Sequence, residues 1–209
     1  FHWTNDGYGS FEDLLSALRA SRRKTIRRER ARAIEGLAIR RLRGADIKPA
    51  DWDFFFRCYM DTGSRKWGAP YLNRAFFELL GQRLGDQCVL FVAEADGAPI
   101  AAALNLIGGD ALYGRYWGRV ADAPFLHFEL CYYQAIELAI ELGLPRVEAG
   151  AQGDHKLARG YLPAPTYSAH WIAHPGLRDA VGRYLKAETP AVVQEAEMLA
   201  ELGPFKRGD

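Results

Sequence analysis

CVLFVAEADGAPIAAALNLIGGDALYGRYWGRV, residues 88–120, decides the fold. Residues 88–94 form a continuous apolar run of strand length, rich in Val and Phe. Asp96-Gly97 then supplies a two-residue turn whose positions tolerate positive φ, as tight hairpins require. Residues 100–107 are the return strand. Gly108-Gly109-Asp110 makes a second turn, and 111–120 a third strand. Turns this short join antiparallel neighbours, because parallel strands need a long crossover. Strict alternation along the third strand puts Tyr113, Arg115 and Trp117 on one face and Tyr116 on the other.

Downstream, Asp122-Ala123-Pro124 ends the meander. The spacing predicts an amphipathic helix over 125–142, ended by Gly143. A short strand follows over 145–149, then a Gly-, Pro- and charge-rich loop over 150–165. A strand is expected over 167–172 and a closing helix over 175–202, broken at Pro190. Upstream, residues 1–4 read as a strand fragment and Asn5-Asp6-Gly7 as a turn. Ser10, with Asp13 three residues on, is placed to cap a helix carrying Leu14, Leu15 and Leu18. That helix pauses at Ser21 and resumes to Gly36, with Ile26, Ala33 and Leu37 as its apolar stripe. A strand over 37–42 follows. Pro49 is placed to open a helix whose apolar side is Phe54, Phe55, Cys58 and Tyr59. Residues 63–70 are a loop with Arg65, Lys66 and Trp67, and 71–84 a helix with Leu72, Phe76, Leu79 and Leu80 at helical spacing. The order gives a mixed α/β (α+β) domain with a largely antiparallel central sheet flanked by helices.

The chain has 209 residues and is 49% apolar, which suits one domain with a sizeable core. No apolar stretch reaches the roughly 20 residues that span a bilayer, and no basic-then-apolar leader is visible. Cys58, Cys88 and Cys131 are odd in number and widely spaced, which reads as reduced thiols of a cytoplasmic protein. The net charge of +1 hides a strong asymmetry. Residues 19–43 hold eleven Lys or Arg against two acids, Glu29 and Glu35, leaving sixteen bases and twenty-four acids elsewhere. A block of like charge calls for a polyanionic partner or a solvated face, and phosphates are the obvious partner class. The chain begins at Phe1, inside what reads as a strand, and is expected to be the C-terminal part of a longer protein.

Several stretches carry a family resemblance. The basic segment SRRKTIRRE at 21–29, the hairpin AEADGAPIAAAL at 93–104, the strand YGRYWG at 113–118, the helix end AIELG at 139–143 and the segment EAGAQGDHKLARGYLP at 148–163 together resemble FemAB-like proteins. These form a branch of the GNAT acyltransferase superfamily associated with peptidoglycan biosynthesis or recognition. The resemblance covers nearly the whole chain as one GNAT-like domain, 1–209, with a basic helical segment 10–36 and a core over 88–173. It implies a GNAT-like acyltransferase fold. The better-studied Fem-type enzymes move an aminoacyl group from aminoacyl-tRNA to an amine of a peptidoglycan precursor. By resemblance, then, a phosphate-containing precursor and tRNA are the expected partners, and an aminoacyl-tRNA or acyl-CoA is the acyl donor. Between Gly118 and Leu126 the chain lacks the spaced glycines of acetyl-CoA-binding relatives, and Pro124 removes a donor, so weak acetyl-CoA binding is expected.

Acyl transfer to an amine needs a group that takes a proton and donors for the oxyanion. Glu148, Gln152, Asp154, His155, Lys156 and Arg159 crowd into twelve residues after a strand, where such groups collect. Lys156 or Arg159 is the candidate oxyanion or phosphate donor, and either matches the lysine that Fem enzymes carry before a Gly-aromatic turn. Glu148 or Asp154 is the candidate proton acceptor. Gln152, His155 and Arg115 are candidate substrate contacts. Arg22, Arg23, Lys24, Arg27 and Arg28 are the candidate anion-binding face. His170 and His174 read as structural and not as metal ligands, which at that spacing want a helix. Two other readings stand beside the transferase: a non-catalytic module that binds a cell-wall precursor or polyanion, and an ordinary acetyl-CoA-dependent acetyltransferase. An open, polar cleft with converging cations separates the enzyme from the module.

Overall fold

The computed structural model describes residues 1–64, 70–151 and 153–206. Arg65, Lys66, Trp67 and Gln152 lie outside the described residues. A six-stranded sheet runs in the order β1-β6-β5-β4-β3-β2. Its centre is the expected meander: β3 (Cys88–Ala95), β4 (Ala98–Ile107) and β5 (Ala111–Arg119). These pair antiparallel, with Asp96 and Gly97 both at positive φ in the first turn. β2 (Leu37–Arg43) adds antiparallel to β3. β6 (Arg146–Glu148) pairs parallel with β5, and β1 (His2–Thr4) closes that edge antiparallel to β6.

Helices cover both faces. On one, Val89, Phe91, Ala101, Ala103 and Leu112 cluster with Leu14, Leu15 and Ile26 of the N-terminal helices and with Leu126, Leu130 and Ile136 of the helix after β5. On the other, Leu90, Val92, Ala102 and Leu104 cluster with Phe55, Cys58 and Tyr59 of α3 (Pro49–Ser64) and Phe77 of α4 (Arg74–Leu84). The approach of α3 is close. A Cβ on Gly118 of β5 would stand 2.0 Å from the Cys58 carbonyl oxygen, so only glycine lets the two backbones meet.

Local capping follows the residue types. Ser10 accepts a hydrogen bond from the Asp13 amide and starts α1 (Phe11–Ala17). Asn73 caps α4 through the Phe76 amide, so that helix starts three residues later than expected. The break in the N-terminal helix falls at Leu18–Arg19 rather than at Ser21, which lies inside α2 (Ala20–Ala33). The cause is tertiary: Leu18 bridges Phe205, and the Ala17 carbonyl accepts from the Lys206 amide. Both expected pins of α2, Ile26 and Ala33, are buried.

Four further expectations are corrected. Residues 167–172 form no strand, because β1 already fills the edge beside β6, and only Leu162 bridges to His2. The closing helix α7 (Pro175–Glu201) runs through Pro190 without a break and is exposed along its length. The helix expected over 125–142 has three parts: α5 (Leu126–Phe128), a π-helical turn (Glu129–Tyr133) and α6 (Gln134–Glu141). Last, β5 does not alternate strictly. A bulge at Arg115 lets Leu104 pair with Tyr116 and Asn105 with Gly114. One extra residue reverses which face each later side chain meets. Leu112 and Trp117, five apart, therefore share one face, while Tyr116 joins the other.

The basic block divides between interior and solvent. Arg30 bonds Glu129 (3.0 and 2.8 Å) and Glu137 (2.5 Å); Arg41 reaches Gln134, Glu137 and Glu141. Arg40 joins Asp51 to Glu94. These pairs tie α2 and β2 to neighbouring elements. Much of the local charge is thus neutralised within the fold.

Candidate active site

β5 and β6 pair only from Ala111 with Arg146 to Tyr113 with Glu148. Beyond that point β5 continues to Arg119 with no partner on this edge among the described residues. A cleft of about 750 Å³ opens where the strands part. Its walls are Ala103–Asn105 of β4, the bulged stretch Gly114–Trp117, His127, Cys131 and Tyr132 of the helix, and the loop after β6. The π-helical turn carries Cys131 and Tyr132. Such turns rotate side chains out of regular helical phase, and they recur at functional sites.

Lys156 is the most informative residue of the cleft. It sits in a 3₁₀ turn (Asp154–Arg159), is 5% exposed, and donates to the Gly150 carbonyl at 3.2 Å. Burial holds its ammonium below the usual lysine range, and the nearby Cys131 acts weakly in the other direction. Burial pushes the Cys131 thiol up, more than Lys156 lowers it. Gly153 leads into the turn at φ +108°, where a Cβ would collide with the His155 ring. Glycine is therefore required to bring His155 and Lys156 round.

Imidazole and aromatic rings crowd the same wall. His155 shares a 2.9 Å hydrogen bond with the Tyr132 hydroxyl. Burial raises the Tyr132 hydroxyl well above the ordinary tyrosine value, so it keeps its proton. His127 lies 4.8 Å from Trp117 and 5.9 Å from His155, centroid to centroid.

The other candidate residues fall elsewhere. Arg115 lines the cleft, exposed, at the bulge. Arg159 does not line it; its guanidinium is 6% exposed and bonds both oxygens of Glu29 on α2, at 2.9 and 2.7 Å. Glu148 pairs with Arg146 (2.9 Å) and His2 (3.6 Å) and lines a neighbouring groove along α7. His170 bonds Ser168, and His174 caps α7. On α2, Arg23 is turned to the carbonyls of Leu15 and Leu18, and Arg27 pairs with Glu12. Arg22, Lys24 and Arg28 are exposed and make no ion pair among the described residues.

Among the cleft residues that carried no sequence reading as site residues are Asn105, His127 and Tyr132. A signal existed for Asn105. It is the one polar residue in an otherwise apolar strand that is covered on both faces. Tyr132 had no such signal, because the π turn that carries it has no sequence signature.

A sheet with one diverging parallel pair, helices on both faces and a cleft at the divergence defines a GNAT-like acyltransferase fold. The chain belongs to the FemAB-like family, described as peptidoglycan biosynthesis/recognition, which it matches over residues 1–207. Among solved structures it is similar to FemX, at 14% identity and a TM-score of 0.56, over 85% of this chain and 56% of that one. A conserved protein of unknown function from Bacteroides thetaiotaomicron is similar at 13% identity and a TM-score of 0.52, over 79% of this chain and 55% of that one. An aminoglycoside acetyltransferase from an uncultured soil metagenomic sample aligns at 16% identity and a TM-score of 0.42, over 67% of this chain and 97% of that one. This chain thus spans little more than half the length of FemX or of the Bacteroides protein. No curated protein matches it. No helix of the described residues is long and apolar enough to cross a membrane.

Proposed function

We propose that the cleft transfers an acyl or aminoacyl group to an amine, with a peptidoglycan precursor as acceptor and aminoacyl-tRNA as the favoured donor, in the cytoplasm. The observation that carries this reading is the buried ammonium of Lys156 on the wall of an open cleft that Arg115 also lines. Such a site suits an anion that forms during reaction. It also favours a transferase over a recognition module. The amine nitrogen attacks the acyl carbonyl, Lys156 meets the oxyanion, and the carbonyl reforms as the ester oxygen of the donor departs. His155, on the cleft wall, would take the proton the amine loses. The attack is direct, with no acyl-enzyme. Glu148, paired outside the cleft, is better placed to hold the loop than to act as base. The test incubates the protein with radiolabelled aminoacyl-tRNA and a UDP-linked pentapeptide precursor. Label appearing in the peptide supports the reading. No transfer from any aminoacyl-tRNA, with full transfer from acetyl-CoA, overturns it.

Acetyl-CoA should bind weakly. The helix after β5 opens on Phe125, in the left-handed region at φ 60°, then on a fully buried Leu126. No glycine-lined row of amides faces a pyrophosphate there. Calorimetry giving a low-micromolar dissociation constant, about −8 kcal/mol, contradicts this and promotes the ordinary acetyltransferase.

The solvent face of α2 is the proposed polyanion contact. It rests on Arg22, Lys24 and Arg28 rather than on Arg23 and Arg27, which already have protein partners. Replacing all three by Ala should weaken tRNA binding and reduce the log–log salt slope by about two, at roughly 0.7–0.9 per phosphate contact. Thermal stability should stay nearly unchanged, since exposed charges contribute little. An unchanged slope in filter binding removes α2 from the contact.

A further inference from the structure

Asn105 is 1% exposed, lines the cleft, and its amide nitrogen has no hydrogen-bond partner among the described residues. Buried amide donors are paired in folded proteins with few exceptions, and each exception wants a cause. The cause is local. Asn105 sits on β4 where the register slips past Arg115, directly opposite Gly114. Gly114 has no side chain to offer the amide a partner; a Cβ there would stand 3.6 Å from the Asn105 side-chain oxygen. The donor is thus kept dry and fixed by the sheet, on a residue of the cleft wall beside the bulge.

We infer that Asn105 is a catalytic residue whose side-chain amide donates to the carbonyl oxygen of the acyl group as it becomes an oxyanion. This rests on the transferase reading and adds a second donor to Lys156. An amide fits the task. It cannot lose its charge state with pH, and a rigid strand places it more precisely than a loop does.

The experiment compares Asn105→Leu and Asn105→Asp with the parent in three readouts. Asn105→Leu keeps the volume and removes an unpaired polar group, so its melting temperature should equal or exceed that of the parent. Its kcat should fall about 100-fold with KM little changed, the mark of an interaction made in the transition state. Asn105→Asp should lose at least as much, because a carboxylate repels the oxyanion. The third readout is the side-chain amide resonance of Asn105 on adding an adenosine that carries an aminoacyl group in amide linkage at its 3′ position. A shift of that resonance supports the inference even in a protein found inert in transfer, which separates this idea from the functional reading. A markedly lower melting temperature for Asn105→Leu with kcat unchanged makes Asn105 structural. An unmoved resonance with bound probe overturns the inference outright.

Discussion

Replacing Lys156 by Met should lower transfer by about 100- to 1000-fold, the range for losing one preorganised oxyanion donor. Methionine keeps the length and apolar stem of lysine and removes only the ammonium. The fold should not suffer. Lys156 is buried, and its charge is disfavoured there, as the lowered pKa shows. The sign of the pH effect follows from that direction. A lysine whose folded pKa lies below its ordinary 10.5 is charged at a cost, so the unfolded chain binds more protons between the two values. Stability of the parent should therefore rise with pH through that window, and the Met variant should lack the rise. Activity should do the opposite. It should fall as Lys156 loses its proton, on an alkaline limb below the usual lysine range. Lys156→Arg should move that limb upward while restoring only part of the rate, because a planar fork does not reproduce a compact ammonium. A Lys156→Met enzyme within threefold of the parent would end the role assigned to this residue.

Legibility in the sequence divides along the range of the forces involved. The meander was readable because its signals are local: apolar runs of strand length and an Asp-Gly turn. The basic helix was readable for the same reason, through Ile26 and Ala33. The fate of its charges was not. Glu29 bonds a residue 130 positions away, and Arg30 one 99 away, and no window on the sequence contains such a pair. The bulge at Arg115 is likewise a property of two strands together. It overturned the alternation that put Arg115 on a face with Tyr113 and Trp117, and it opened the space that Asn105 faces. The cluster at 148–159 was found as a cluster, yet its members point in three directions: Lys156 to the cleft, Arg159 to α2, Glu148 to the neighbouring groove. Sequence proximity on a turn of glycines says which residues gather, and the tertiary partners decide which of them meet a substrate.

Removing the Glu29 carboxylate should be strongly destabilising. Glu29 is 7% exposed and is held by the Arg159 guanidinium at 2.9 and 2.7 Å and by the Tyr133 hydroxyl at 2.5 Å. Arg159 in turn stacks on Phe128, 3.4 Å from the ring centroid, and donates to the His155 carbonyl at 2.6 Å. Glu29→Ala leaves that guanidinium buried without a counter-charge, which costs about 3–5 kcal/mol. Urea unfolding reads the loss directly. The double variant Glu29→Leu with Arg159→Met should recover most of it, since a buried ion pair replaced by apolar groups of similar size is often close to neutral. The two variants separate stability from positioning. Arg159 spans from α2 to the turn that carries His155 and Lys156, so the double variant should fold well and still transfer poorly, with kcat lowered. If it transfers at the parent's rate, the pair serves the fold alone. If Glu29→Ala unfolds within about 1 kcal/mol of the parent, water reaches Arg159 and the pair is not the buried clamp its geometry describes.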